Sequence, residues 1–149
     1  VGKLILVDDD IRWSVGIAQS LRACGWNVTT LSSGNSAAEM IVRNIPDLLV
    51  IDADMPHYTG IELYETLAYS ERACSIPAII LTTDDEQRTQ LVRTPKRTHV
   101  CIPKSTDRVE LVKLIHGIMR QIETNKKPGP NCPIPIARDE VYERLIASA

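Results

Sequence analysis

No stretch of this chain approaches the roughly 18 consecutive apolar residues that a membrane-crossing helix requires, and no cleavable leader is legible near its start. Neither a membrane span nor secretion is expected. Charge of either sign is not in excess: the formal net charge is −2 at pH 7, which supplies neither a basic face for nucleic acid nor an acidic extreme. Direct nucleic-acid binding is therefore not expected. Cysteine is sparse and unclustered. Cys24, Cys74, Cys101 and Cys132 show no CxxC or Cys/His metal spacing, so, with the apolar context of Cys101, reduced buried thiols in a cytoplasmic protein are expected. With 149 residues the chain falls in the usual single-domain range and is long enough to bury a real core.

What the chain does have is an alternation of strand-like and helix-like periods. Strands are expected over Lys3–Val7, Asn27–Leu31, from Pro46-Asp47 to Ile51, Ala78–Leu81 and His99–Ile102. Between them lie helices: Ile11–Cys24, with Val15, Ile17, Ala18 and Leu21 inward and Gly25 closing it; a helix capped by Ser33 and running to about Arg43; Gly60–Ser70; and a short polar helix over Asp85–Val92. Thr106–Thr124 is the longest, with Val109, Val112, Leu114, Ile115, Ile118, Met119 and Ile122 on a broad apolar face. Five such units predict an α/β fold, a flavodoxin-like doubly wound five-stranded parallel sheet of order 2-1-3-4-5 with helices on both faces.

Four apolar runs each deliver polar groups at their C-terminal ends. Asp8-Asp9-Asp10 ends the first run, Asp52 follows Leu48-Leu49-Val50-Ile51, Thr82 follows Ile79-Ile80-Leu81, and Lys104 stands just beyond Val100-Cys101-Ile102. In an open parallel sheet those ends line one crevice, where such folds do their chemistry. A lone Asp at a strand end is ordinarily a turn or helix cap, and Asp10 fits that role. Four coincident strand ends ask for more. Packed carboxylates repel and stay ionised only beside a cation, and Mg2+ takes oxygen ligands from one or two carboxylates together with phosphate oxygens. An Asp carboxylate can itself act as nucleophile and form an aspartyl-phosphate, while an ammonium and a hydroxyl stabilise the phosphoryl oxygens.

From Lys3 to about Thr124 the chain resembles the receiver domains of two-component response regulators, chemotaxis regulators among them, on five separated positions. Asp8 and Asp9 resemble the acidic pair that organises Mg2+. Asp52 resembles the phosphoacceptor, because the family places Met-Pro three and four residues later, here Met55-Pro56. Thr82 and Lys104 match the switch hydroxyl and the lysine, and Gly60 fits the turn opening the third helix. The resemblance implies Mg2+ held by Asp8, Asp9, Asp52 and the main-chain carbonyl of Asp54. It also implies a sensor histidine kinase or phosphotransfer protein as phosphoryl donor and an output domain in cis. A homodimer through the face of the fifth strand and last helix is a further implication, with His99, Arg108 and Lys113 as polar contacts. Such a domain is a switch with slow self-dephosphorylation rather than a metabolic enzyme.

The chain departs from the family in several places. Pro103 precedes Lys104 and Ser105 follows it, where the family has lysine then proline. Cys101 replaces the usual aromatic switch residue, Thr83 is bulkier than the usual small neighbour, and Asp54 adds a carboxylate two residues past the acceptor. Asp52-Ala53-Asp54 also resembles the DxD of haloacid-dehalogenase-type phosphatases, whose first Asp is nucleophile and second a general acid/base. Those enzymes carry the motif after their first strand, not their third. A third reading keeps the fold as a phosphorylation-independent interaction module.

The domain division expected is a receiver over 1–124, a Pro-rich linker over 125–137 and an amphipathic helix over 138–149 that opens a truncated output region. Pro128, Pro130, Pro133 and Pro135 exclude a regular helix from the linker, and Val141, Tyr142, Leu145 and Ile146 share one face of the helix.

Overall fold

The computed structural model describes residues 2–87 and 99–125. The elements run β1 (Lys3–Val7), α1 (Ile11–Ala23), β2 (Asn27–Leu31), α2 (Gly34–Arg43), β3 (Leu48–Asp52), α3 (Gly60–Ala68), β4 (Ala78–Thr82), β5 (His99–Pro103) and α4 (Arg108–Asn125). All five strands are parallel, in the order β2-β1-β3-β4-β5 expected from the alternation. A helical turn begins at residues 85–87. The rest of the short polar helix expected to Val92, the Pro-rich linker and the C-terminal amphipathic helix lie outside the described residues.

Strand alternation divides the core in two. Leu4, Leu6, Val50, Leu81, Val100 and Ile102 face α1 and α4. Ile5, Val7, Leu49, Ile51 and Ile80 face α2 and α3. The central strands β3 and β4 are buried at every position, which a parallel sheet covered on both faces requires. Their polar last residues still pair, Asp52 with Leu81 and Thr82 with Pro103, so three strands run one residue past their apolar runs.

Local chemistry sets the helix ends. Asp10 caps α1 by accepting from the Trp13 N–H, Ser33 caps α2 from the Asn35 N–H, and Asp107 accepts from Val109 and Glu110. The last of these starts α4 at Arg108 rather than Thr106. Gly25, with φ 94°, lies just past the Cys24 cap in the left-handed conformation that glycine adopts without strain.

The thiols expected to be buried are not: Cys24 is exposed and Cys74 and Cys101 are half-buried. Two apolar positions expected inward also face outward. Val15 is 42% exposed because Ser14, Ile17, Ala18 and Leu21 form the buried face of α1, with the Ser14 hydroxyl satisfied by donating to the Ile11 carbonyl. Val109 is 62% exposed in the first turn of α4.

Candidate functional site

The C-terminal ends of β1, β3, β4 and β5 meet at one crevice. Asp8 follows β1 with no exposed surface, and its main chain is held by donating to the Leu31 carbonyl at 3.0 Å. Its Oδ1 accepts from the Asp10 N–H at 2.8 Å, which fixes the acidic turn against the start of α1. Asp52, also without exposed surface, ends β3; its Oδ1 accepts from the Asp54 N–H at 3.1 Å. Its Oδ2 accepts from the Lys104 ammonium at 2.6 Å, a charge-assisted bond. The Asp54 backbone thus closes the turn beside Asp52 while its side chain is exposed.

Lys104 reaches this point because its own N–H donates to the Thr82 carbonyl at 2.9 Å, joining the ends of β4 and β5. Thr82 is 3% exposed at the end of β4. The next residue is engaged differently. The N–H and hydroxyl of Thr83 both donate to Gln87 Oε1, at 2.9 and 3.2 Å, while the Gln87 N–H donates to Asp84 Oδ1 at 2.9 Å. Thr83 is exposed and held by the Gln87 side chain, while Asp84 supplies the cap. No cis peptide bond occurs among the described residues, the Lys104–Ser105 bond included.

The electrostatics are those of a site short of positive charge. Burial is the main influence raising the Asp8 carboxyl to about 6, assisted by the charges of Asp52 and Asp9 and opposed by the Asp10 N–H and the Lys104 ammonium. Burial alone would lower Lys104. Its hydrogen bond to Asp52 and the charges of Asp52 and Asp8 instead hold it above its ordinary value. The ammonium approaches Asp8 Oδ2 at 3.5 Å without hydrogen-bond geometry, so that buried oxygen has no hydrogen-bond partner in the described structure.

Asp8, Asp9 and Asp52 each offer a carboxylate oxygen, and these oxygens lie within 4.8 Å of one another. Three hard oxygen donors around an orphaned buried carboxylate oxygen fit a divalent cation such as Mg2+.

The model of the response regulator receiver domain matches residues 4–116, which spans this crevice and all five strands. The chain belongs to that family. Among curated relatives of this receiver domain is the phosphate regulon transcriptional regulatory protein PhoB of Rhizobium meliloti (strain 1021). It is 30% identical over 121 residues, covering 80% of this chain and 52% of that protein. The response regulator MprA of Mycobacterium sp. (strain KMS) is 26% identical over 88% of this chain and 55% of its own length. The receiver domain thus spans about half the length of the curated relatives it matches. Among solved structures, the Vibrio cholerae chemotaxis protein CheY4 superposes with TM-score 0.70 at 22% identity, over 79% of this chain and 98% of that one. The receiver domain of the sensor histidine kinase PA1611 from Pseudomonas aeruginosa PAO1, solved with a magnesium ion in its active-site cleft, gives TM-score 0.68 at 23% identity. It covers 82% of this chain and 98% of that one. No helix of the described residues is long and apolar enough to cross a membrane.

The crevice brings together Asp8, Asp9, Asp52, Thr82 and Lys104, with the Asp54 backbone beside them. Gly60 is closer to the acceptor than a turn role suggests: a Cβ there would lie 1.8 Å from the Asp52 carbonyl oxygen, so only glycine fits. His99 does not belong to an exposed dimer face. It is 2% exposed because alternation along β5 turns it towards α3, where Nδ1 meets the Tyr64 hydroxyl at 2.9 Å. Arg108 lays its guanidinium over Gly16 of α1, where any Cβ would meet it at 2.3 Å. Sequence reasoning gave Trp13 no role in the site, yet its ring lies 5.8 Å from the Lys104 ammonium. Only its position three residues past the Asp10 cap signals that nearness.

Proposed function

We propose that this receiver domain takes a phosphoryl group onto Asp52 from the phosphohistidine of a sensor histidine kinase or phosphotransfer protein. It then signals to an output domain in cis. The supporting observation is the Asp52 carboxylate at the end of the central strand, with Lys104 at 2.6 Å and a second buried carboxylate, Asp8, beside it. An Asp52 oxygen forms the new bond to phosphorus as the donor's P–N bond breaks, the electron pair returning to the imidazole. Lys104, losing its ionised partner, pairs with a phosphoryl oxygen, and the Thr82 hydroxyl donates to another. Asp8, Asp9, Asp52 and the Asp54 main-chain carbonyl would hold Mg2+, which when bound supplies positive charge against the phosphoryl oxygens. The magnesium in the Pseudomonas aeruginosa relative supports that assignment.

The domain acts as a switch with slow self-dephosphorylation, as a receiver over 1–124 joined by a 125–137 linker to an output region opening at 138–149. Its assembly face is β5 and α4, with Arg108 and Lys113 as polar contacts. Acetyl phosphate with Mg2+ tests the reading: wild type takes up at most one phosphoryl group per chain and does not turn over p-nitrophenyl phosphate. Asp52→Asn takes up none. Equal labelling of Asp52→Asn, or loss confined to Asp54→Asn, contradicts it.

A further inference from the structure

The Lys104 ammonium has three neighbours of two chemistries: the carboxylate oxygens Asp52 Oδ2 at 2.6 Å and Asp8 Oδ2 at 3.5 Å, and the Trp13 ring, whose centroid lies 5.8 Å away. The last distance falls within the roughly 6 Å over which an aromatic face attracts a cation. Both partners are anchored. The main-chain N–H of Trp13 donates to the Asp10 cap at 3.1 Å and its partly buried ring packs on the α1–α4 core, while the Lys104 backbone is tied to Thr82. The indole is therefore a fixed wall beside a long, flexible side chain.

That wall differs from an aliphatic one. An aliphatic side chain of similar size excludes water but offers the ammonium nothing, whereas a ring face attracts a cation without fixing its direction. Direction matters here because Lys104 must change partners. Once Asp52 carries a phosphoryl group, the oxygen bonded to phosphorus loses its charge and the ammonium must move to a phosphoryl oxygen. We infer that Trp13 is a positioning residue for Lys104, its indole face holding the ammonium beside Asp52 and guiding it to the incoming phosphoryl group. The inference rests on the phosphoacceptor reading of Asp52.

The test compares Trp13→Leu and Trp13→Phe in the full chain, with acetyl phosphate as donor. Trp13→Leu lowers the labelling rate at saturating donor about fivefold, the scale of a partly buried cation–aromatic contact, with donor KM and Mg2+ affinity changed less than about twofold. Trp13→Phe, which keeps a ring, restores the rate to within about twofold of wild type. A wild-type rate in Trp13→Leu overturns the inference. So does a Trp13→Phe as slow as Trp13→Leu, or a parallel loss of Mg2+ affinity, each of which assigns Trp13 to packing alone.

A second readout needs no phosphoryl donor. Lys104→Met removes the cation beside Trp13 and shifts indole emission in the resting protein; Trp26, bonded to His116 at 2.9 Å near the start of β2, is remote from the change. Unchanged emission with normal wild-type labelling sinks the Trp13 inference alone. Absence of labelling in wild type sinks the phosphoacceptor reading and this inference with it.

Discussion

Asp8 carries a carboxyl with no exposed surface, one oxygen without a hydrogen bond and a pKa raised from 3.8 to about 6. The folded state therefore holds that proton more tightly than the unfolded chain does. Its stabilising effect is full below about pH 4 and is lost as pH rises through about 6, at a cost on the order of 3 kcal/mol above that. In cation-free protein Asp8→Asn should raise Tm by several degrees at about pH 7.5 and leave it nearly unchanged at about pH 4. The same substitution should weaken Mg2+ affinity at least about tenfold, since one of the two fully buried carboxylate donors is gone. Thermal melts at the two pH values and a Mg2+ titration check both; equal Tm changes at both pH values would remove the ionisation cost. Mg2+ affinity of the native chain should also fall below about pH 6, where protons compete for Asp8. The presence of Asp8, Asp9, Asp52 and Lys104 together was legible in the sequence because each ends an apolar run. The Trp13 ring was not, because its approach to Lys104 depends on how α1 is set against the end of β5.

At the scale of elements, α3 begins against the main chain of Asp52. The Gly60 N–H donates to the Ala53 carbonyl at 3.1 Å, and no Cβ fits between Gly60 and Asp52. Gly60→Ala should push the start of α3 away from the acceptor turn, destabilising the fold by about 2 kcal/mol and slowing Asp52 labelling. Urea unfolding and a labelling time course measure the two effects. A stable variant that labels normally would show that the turn yields without disturbing the site. The sequence signalled a turn at Gly60 but carried no sign of this close approach. Helix faces were legible where apolar residues recur at helical spacing, as at Leu114, Ile115, Ile118 and Ile122. They were not where a small polar residue takes the inward place, as Ser14 does beside exposed Val15. His99 failed for a related reason: a polar residue on β5 looked external, yet the Tyr64 hydroxyl gives it a partner inside.

For the whole molecule, strand order followed from the alternation of strands and helices, since parallel strands joined by right-handed crossovers leave few arrangements. The assembly face is a different matter, because nothing in a single chain's hydropathy says which exposed side chains meet a second copy. With His99 buried, the exposed Arg108 and Lys113 are left of the three polar contacts proposed for the β5–α4 face. Beryllofluoride, which mimics the aspartyl-phosphate, should shift the monomer–dimer equilibrium, and Cys101→Ala should leave that shift nearly intact. Sedimentation velocity reads both; beryllofluoride binding with no change in assembly would mean that the domain signals through its output region directly. The central claim is narrower, that one phosphoryl group is carried on one carboxylate. Borohydride reduction after treatment with acetyl phosphate and Mg2+ converts an acyl phosphate to a homoserine side chain, which peptide mass analysis can locate. The account predicts that conversion at Asp52 alone; conversion at Asp54, Asp8 or Asp9, or no Mg2+-dependent conversion anywhere, would contradict it.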